Sequence, residues 1–187
     1  MEGWSAGVVA AYRDSDRPAV ITAGRIVTGS GLLAAAAGAA SWFESFGLPP
    51  GTALPALVTT SADTLAMLLG GAAAGHPLAP LGPRLTAAEL SGAVTGLGGQ
   101  VLLHEPAFAV LAAELARVTG VRPVLVTGLP EGSDVGRLAA PDPDSVAVYL
   151  HTGGTTGAPK RVPLTQRGDA RPAGAVHDRD AAGRRRA

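Results

Sequence analysis

The chain has 187 residues, 47% of them hydrophobic and 16% charged, with 15 Lys and Arg balanced by 15 Asp and Glu. That is enough for one domain with a substantial core and is not the composition of a disordered chain. The absence of cysteine excludes disulfides, thiolate nucleophiles and Cys-ligated zinc, and makes the cytoplasm the expected compartment.

The first elements are short. Val8 to Tyr12, Ala19 to Thr22 and Arg25 to Thr28 are β-prone runs, the latter two joined by Ala23-Gly24 as a hairpin turn would be. Ser30 is the expected cap of a helix whose apolar positions Leu33, Ala36, Ala37, Ala40 and Phe43 follow helical spacing, and Gly47 with Pro49-Pro50 stops it. Leu54 to Thr60 then reads as a strand, Ser61 as an N-cap, Ala62 to Ala74 as a buried helix and Gly75 as its end. His76 to Leu81 is a short apolar segment. Thr86 and Glu89 have capping-box spacing at the start of a helix that runs to about Leu97. Val101 to His104, a helix from Ala107 to Thr119, and Val121 to Thr127 continue the alternation, which implies an α/β fold with a mainly parallel sheet and flanking helices. Gly128 to Asp144 is rich in Gly, Pro and Asp and reads as a surface connection. The last clear strand is Val146 to Leu150.

Directly after that strand comes His151-Thr-Gly-Gly-Thr-Thr-Gly-Ala-Pro-Lys160. A polyphosphate needs several donors converging on a small volume, and a Cβ at each position would hold the backbone away. Gly153, Gly154 and Gly157 remove that obstacle, Thr152, Thr155 and Thr156 add hydroxyls, and Lys160 adds a full positive charge. The Walker A pattern is not met, because Pro159 precedes Lys160 and Arg161 follows it. A G-x-S-x-G elbow and a G-x-G-x-x-G opening a helix are both missing, which removes the serine hydrolase and dinucleotide readings.

The loop resembles the signature of the adenylate-forming superfamily, in which T-S-G-T-T-G-x-P-K follows a strand; Thr152, Gly154, Thr155, Thr156, Gly157, Pro159 and Lys160 match it. Gly153 stands where serine is usual and Arg161 where glycine is commoner. The following Val162-Pro-Leu-Thr-Gln166 is similar to fatty-acyl-CoA and oxalyl-CoA synthetase-like members. Ala72 to Pro80 followed by Leu85 to Leu90 resembles a second stretch of the family, so the likeness covers most of residues 1–166. It implies the N-terminal part of the large domain of an AMP-forming acyl-CoA synthetase, with residues 1–167 a partial AMP-binding domain. It also implies ATP and a carboxylic acid as substrates, coenzyme A as acceptor, Mg²⁺ arriving with ATP, and Thr152, Gly153, Gly154, Thr155, Thr156, Gly157 and Lys160 holding the ATP phosphates. The alternative is a non-catalytic nucleotide-binding or interaction module, or an inert truncated product.

The family's aromatic-Gly-x-Thr-Glu and Thr-Gly-Asp segments, its hinge and its C-terminal lysine have no counterpart here, so no complete catalytic set is expected and the chain alone should be inactive. Residues 168–187 hold Val176 as their one large aliphatic side chain and read as a basic, disordered tail. Residues 166–187 carry six basic and three acidic groups, against nine and twelve in residues 1–165. A frameshift or premature stop in a longer GC-rich coding sequence is the expected origin, with exposed sheet edges and poor solubility as its consequence. Arg184 to Arg186 read as a solvated end, with no nucleic-acid partner. His76, His104 and His177 lack metal-ligand spacing, and His151 carries no assigned role. No signal peptide or membrane span is expected: the uncharged stretch between Asp63 and Arg84 is broken by Gly70, Gly71, Gly75, Pro77, Pro80 and Pro83.

Overall fold

The computed structural model describes residues 3–22, 24–139, 142–152 and 160–168. Its elements run α1 (Trp4–Tyr12), β1 (Pro18–Thr22), β2 (Arg25–Thr28), α2 (Gly29–Glu44), β3 (Leu54–Leu57), α3 (Ala62–Ala73), β4 (Leu78–Pro80), α4 (Ala87–Gly96), β5 (Val101–His104), α5 (Ala109–Thr119), β6 (Arg122–Leu125), β7 (Val146–Thr152) and β8 (Lys160–Thr165). Strands β1 and β2 form the antiparallel hairpin that the sequence indicates, and the other six form one sheet in the order β6-β5-β3-β4-β7-β8. Every neighbouring pair in that sheet is parallel except β7 and β8.

Side chains alternate across the sheet and give it two cores. Leu54, Ala56, Leu78, Val101 and Leu103 pack with Ala39, Phe43 and Met67 of α2 and α3. Leu57 and Leu102 pack with Leu90 and Val94 of α4 and with Ala112 and Leu115 of α5 on the opposite face. Helices α2 and α3 touch almost backbone to backbone: a Cβ on Gly70 would lie 2.4 Å from the Ala36 carbonyl oxygen. The connection after β6 crosses α2 equally closely, with the Gly132 amide donating to the Ala34 carbonyl at 2.9 Å and no room for a side chain on Gly38 under Pro130.

Two capping signals hold as read: Ser61 accepts from the Thr64 amide, and Thr86 and Glu89 form a reciprocal capping box. Two expectations are corrected and one strand is added. The β-prone run Val8 to Tyr12 is the second half of α1, because Ser5 and Val9, one helical turn apart, bury together; Val9 packs against Leu32, Leu33 and Leu138, and that packing overrides strand propensity. Helix α2 is capped by Thr28, whose hydroxyl accepts from Gly31 at 3.1 Å, while Ser30 lies inside the first turn. Strand β8 occupies residues read only as the loop's sequel. Its Pro163 is tolerated because β8 is an edge strand and needs no N–H there for a further neighbour.

Candidate functional site

Strands β4 and β7 are parallel neighbours with Leu78 opposite Val148, so both end at the carboxyl edge of the sheet and β7 runs past the end of β4 to Thr152. From there the chain departs in opposite directions. After β4 it passes through α4 to β5 on the far side of β3, and after β7 it turns outward to β8. In open α/β sheets ligands bind beyond the carboxyl ends of the strands, where connections depart in opposite directions.

Residues 153–159 bridge β7 and β8 at that point. Of the seven residues expected to hold phosphates, Thr152 and Lys160 are register partners on the last rung of the hairpin, whereas Gly153, Gly154, Thr155, Thr156 and Gly157 lie outside the described residues. β7 is two residues longer than the sequence suggests, which draws His151 and Thr152 into the strand.

One rung below, His151 faces Arg161. The His151 Nδ1 lies 3.4 Å from the Pro80 carbonyl oxygen, an acceptor only, so Nδ1 donates and Nε2 keeps its lone pair. Nε2 is buried and has no hydrogen-bond partner among the described residues. Burial is the main influence holding the imidazole pKa below its ordinary value of 6.5; the Arg161 charge adds to it and the Pro80 hydrogen bond opposes it. Arg161 lies 5.2 Å from the centroid of the Tyr149 ring and donates to the Gly96 carbonyl in the last turn of α4. Burial raises the Tyr149 pKa, and Arg161 counteracts it in part. The sequence marks Arg161 only as standing where glycine is commoner; nothing in one dimension reveals that β8 sets it opposite His151.

Of the remaining histidines, His76 and His104 each meet a backbone carbonyl, and His177 lies outside the described residues. His76 Nδ1 meets the Thr52 carbonyl at 3.2 Å and His104 Nδ1 meets that of Glu105 at 3.1 Å. Among the described residues no group of three His, Asp or Glu could hold a metal ion, and no helix is long and apolar enough to cross a membrane. A Mg²⁺ accompanying a bound triphosphate would depend mainly on phosphate and water oxygens. A separate cleft of about 500 Å³ is lined by Arg25, Thr28, Gly31, Asp63, Thr127 and Glu131; it includes neither arm of the β7–β8 hairpin, and its Arg25–Asp63 pair, 3.5 Å apart, leaves no unpaired cation for an anion.

A sequence model described as "AMP-binding enzyme" matches residues 8–184. The chain belongs to this family. Its relatives include Nonribosomal peptide synthetase 8 of Aspergillus fumigatus, 32% identical over 161 residues, and the fatty acid–[acyl-carrier-protein] ligase ScoC of Streptomyces coeruleorubidus, 29% identical over 166 residues. Each alignment covers 84% of this chain, but only 2% and 31% of those proteins. Among solved structures, ATP-bound MatB from Rhodopseudomonas palustris superposes with a TM-score of 0.69 at 25% identity, over 89% of this chain and 35% of MatB. The adenylate-forming resemblance and the α/β fold read from the sequence are therefore those of an AMP-binding enzyme.

Proposed function

We propose that this AMP-binding domain region serves an ATP-dependent, AMP-forming acyl-CoA synthetase, and that residues 152–160 grip the β- and γ-phosphates of ATP. The observation that carries the reading is the placement of Thr152 and Lys160 on the closing rung of a hairpin at the carboxyl edge of the sheet, where the β4 and β7 connections diverge. A hairpin there delivers a glycine-rich turn with a lysine at its exit to the crevice where an α/β sheet takes its ligand.

In the reaction, a carboxylate oxygen attacks the α-phosphorus of ATP, the bond to the bridging oxygen breaks and pyrophosphate departs; coenzyme A thiolate then displaces AMP from the acyl-adenylate. Backbone N–H groups and threonine hydroxyls of the loop, with Lys160, orient the triphosphate and stabilise the charge that collects on the leaving pyrophosphate. The preference for coenzyme A over a carrier thiol rests on the Val162-Pro-Leu-Thr165 neighbourhood. We expect the chain to bind nucleotide through residues 152–160.

The test is titration of the chain with a fluorescent ATP analogue, alongside carboxylate-dependent ATP–pyrophosphate exchange. Binding weakened on the order of tenfold or more by Lys160→Ala, the loss of one charge-assisted contact, supports the grip. Equal binding by both chains refutes it, and absence of binding by the parent chain favours the inert alternative.

A further inference from the structure

The hairpin that carries residues 153–159 is fastened on both arms, by two different side chains reaching two different neighbours. On the incoming arm, His151 Nδ1 reaches the Pro80 carbonyl and ties β7 to the end of β4. On the outgoing arm, Arg161 extends over Tyr149 to the Gly96 carbonyl and ties β8 to the last turn of α4. His151 and Arg161 are themselves cross-strand partners, directly beneath the Thr152–Lys160 rung.

The second tie matters more than the first. Among the described residues β8 is the edge of the sheet and has β7 as its only strand neighbour, so the tie to α4 restrains an arm that the sheet holds on one side. Gly96 lies in the last turn of α4, where carbonyl groups lack intrahelical donors and the helix dipole is negative; a guanidinium is well suited to that end. The aromatic face of Tyr149 adds a second attraction and fixes the path of the side chain. Arg161 therefore holds a defined position although it lies next to the loop.

We propose that Arg161, assisted by His151, is a positioning residue for the phosphate grip: anchored to Gly96 and Tyr149, it fixes the backbone of β8 at the exit of the hairpin, where Lys160 is the first residue. The proposal rests on the reading of residues 152–160 as an ATP-phosphate loop. Arg161 acts through Lys160 and the backbone, not by touching phosphate, since its guanidinium is engaged on the side of α4. It also requires a neutral His151, because a second cation beside Arg161, with no acceptor near its buried Nε2 among the described residues, would push the two arms apart.

The experiment compares the parent chain with Arg161→Gly, Arg161→Lys and His151→Gln. It measures affinity for a fluorescent ATP analogue and for inorganic pyrophosphate, together with the melting temperature of each chain. Arg161→Gly is expected to weaken both ligands on the order of tenfold, the ratio that one charge-assisted hydrogen bond represents. Its melting temperature should stay close to the parent's. Arg161→Lys, which keeps a cation over Tyr149 and a donor toward Gly96, should recover most of the loss. His151→Gln, which can still donate to Pro80, should bind nearly as the parent does.

Parent-level binding by Arg161→Gly overturns the positioning role and leaves the phosphate reading intact. A parent chain that binds neither ligand overturns the phosphate reading and the positioning role together. If Arg161→Gly does not fold, Arg161→Lys decides: affinity at or near the parent's supports the anchor, and affinity as low as that of Lys160→Ala overturns it.

Discussion

Gly70 gives a direct test of how tightly the core that carries the site is built. A Cβ added there would lie 2.4 Å from the Ala36 carbonyl oxygen, 2.8 Å from the Ala40 amide nitrogen and 2.9 Å from the Ala39 Cβ. Two of those three atoms are backbone and cannot rotate aside, so α2 and α3 must separate. Overpacking of this kind costs about 1–3 kcal/mol, and backbone contacts place Gly70→Ala toward the upper end. Alanine's better helix propensity returns about 1 kcal/mol, which leaves a net loss of about 2 kcal/mol. In a domain of this size that lowers the melting temperature by about 4–8 °C. Gly92 in α4 is the control: it is exposed and an added Cβ meets nothing within 4 Å, so Gly92→Ala should gain about 1 kcal/mol and raise the midpoint by about 2–4 °C. The substitution and its propensity term are the same in both helices, so the difference between the two variants isolates packing. Thermal denaturation followed by circular dichroism in one buffer measures it. A Gly70→Ala chain as stable as Gly92→Ala would refute the close approach of α2 and α3.

Ser61 accepts from the Thr64 amide at 3.1 Å, so Ser61→Ala should cost about 1 kcal/mol and Ser61→Asp should restore it; an alanine variant that melts with the parent would remove the cap from the account. His151 has a folded-state pKa below its unfolded value of 6.5. The unfolded chain therefore binds the extra proton first as pH falls, and the His151 contribution is intact above about pH 6.5 and declines below it until the folded form also protonates. His151→Gln should flatten the fall in melting temperature between about pH 6.5 and 5, and identical slopes in the two chains would show that the imidazole does not titrate as its burial demands.

What the sequence revealed and what it concealed divide along physical lines. Caps are local, and the Thr86–Glu89 box and the Ser61 cap were legible because the partner sits three residues away. The strands from β3 to β7 were legible because each is a short apolar run between turn residues. The cap of α2 is Thr28 and not the expected Ser30, because the extended backbone of Thr28 at the close of β2 lets its hydroxyl accept from Gly31. α1 was misread because Val8 and Val9 favour strands, while the burial that makes them helical comes from Leu32, Leu33 and Leu138, far along the chain. The glycine-rich motif of residues 151–160 is visible in the sequence, yet the contacts that flank it are not. Arg161 meets Gly96 across 65 residues and His151 meets Pro80 across 71, and both contacts depend on the sheet order.

That β8 follows the loop changes how such a loop can work. Where a glycine-rich turn opens into a helix, the helix N-terminus supplies partial positive charge and free N–H groups to the phosphates. Here the chain leaves the loop as an antiparallel strand, whose own dipoles largely cancel, so that source is absent. On the proposed reading the positive charge comes from Lys160, the first residue of β8. A side-chain charge is only as well placed as the backbone that bears it, and an edge strand is a poorly restrained bearer. The guanidinium of Arg161, seated between Tyr149 and the carbonyl end of α4, supplies that restraint from a helix whose C-terminus, not its N-terminus, serves the site.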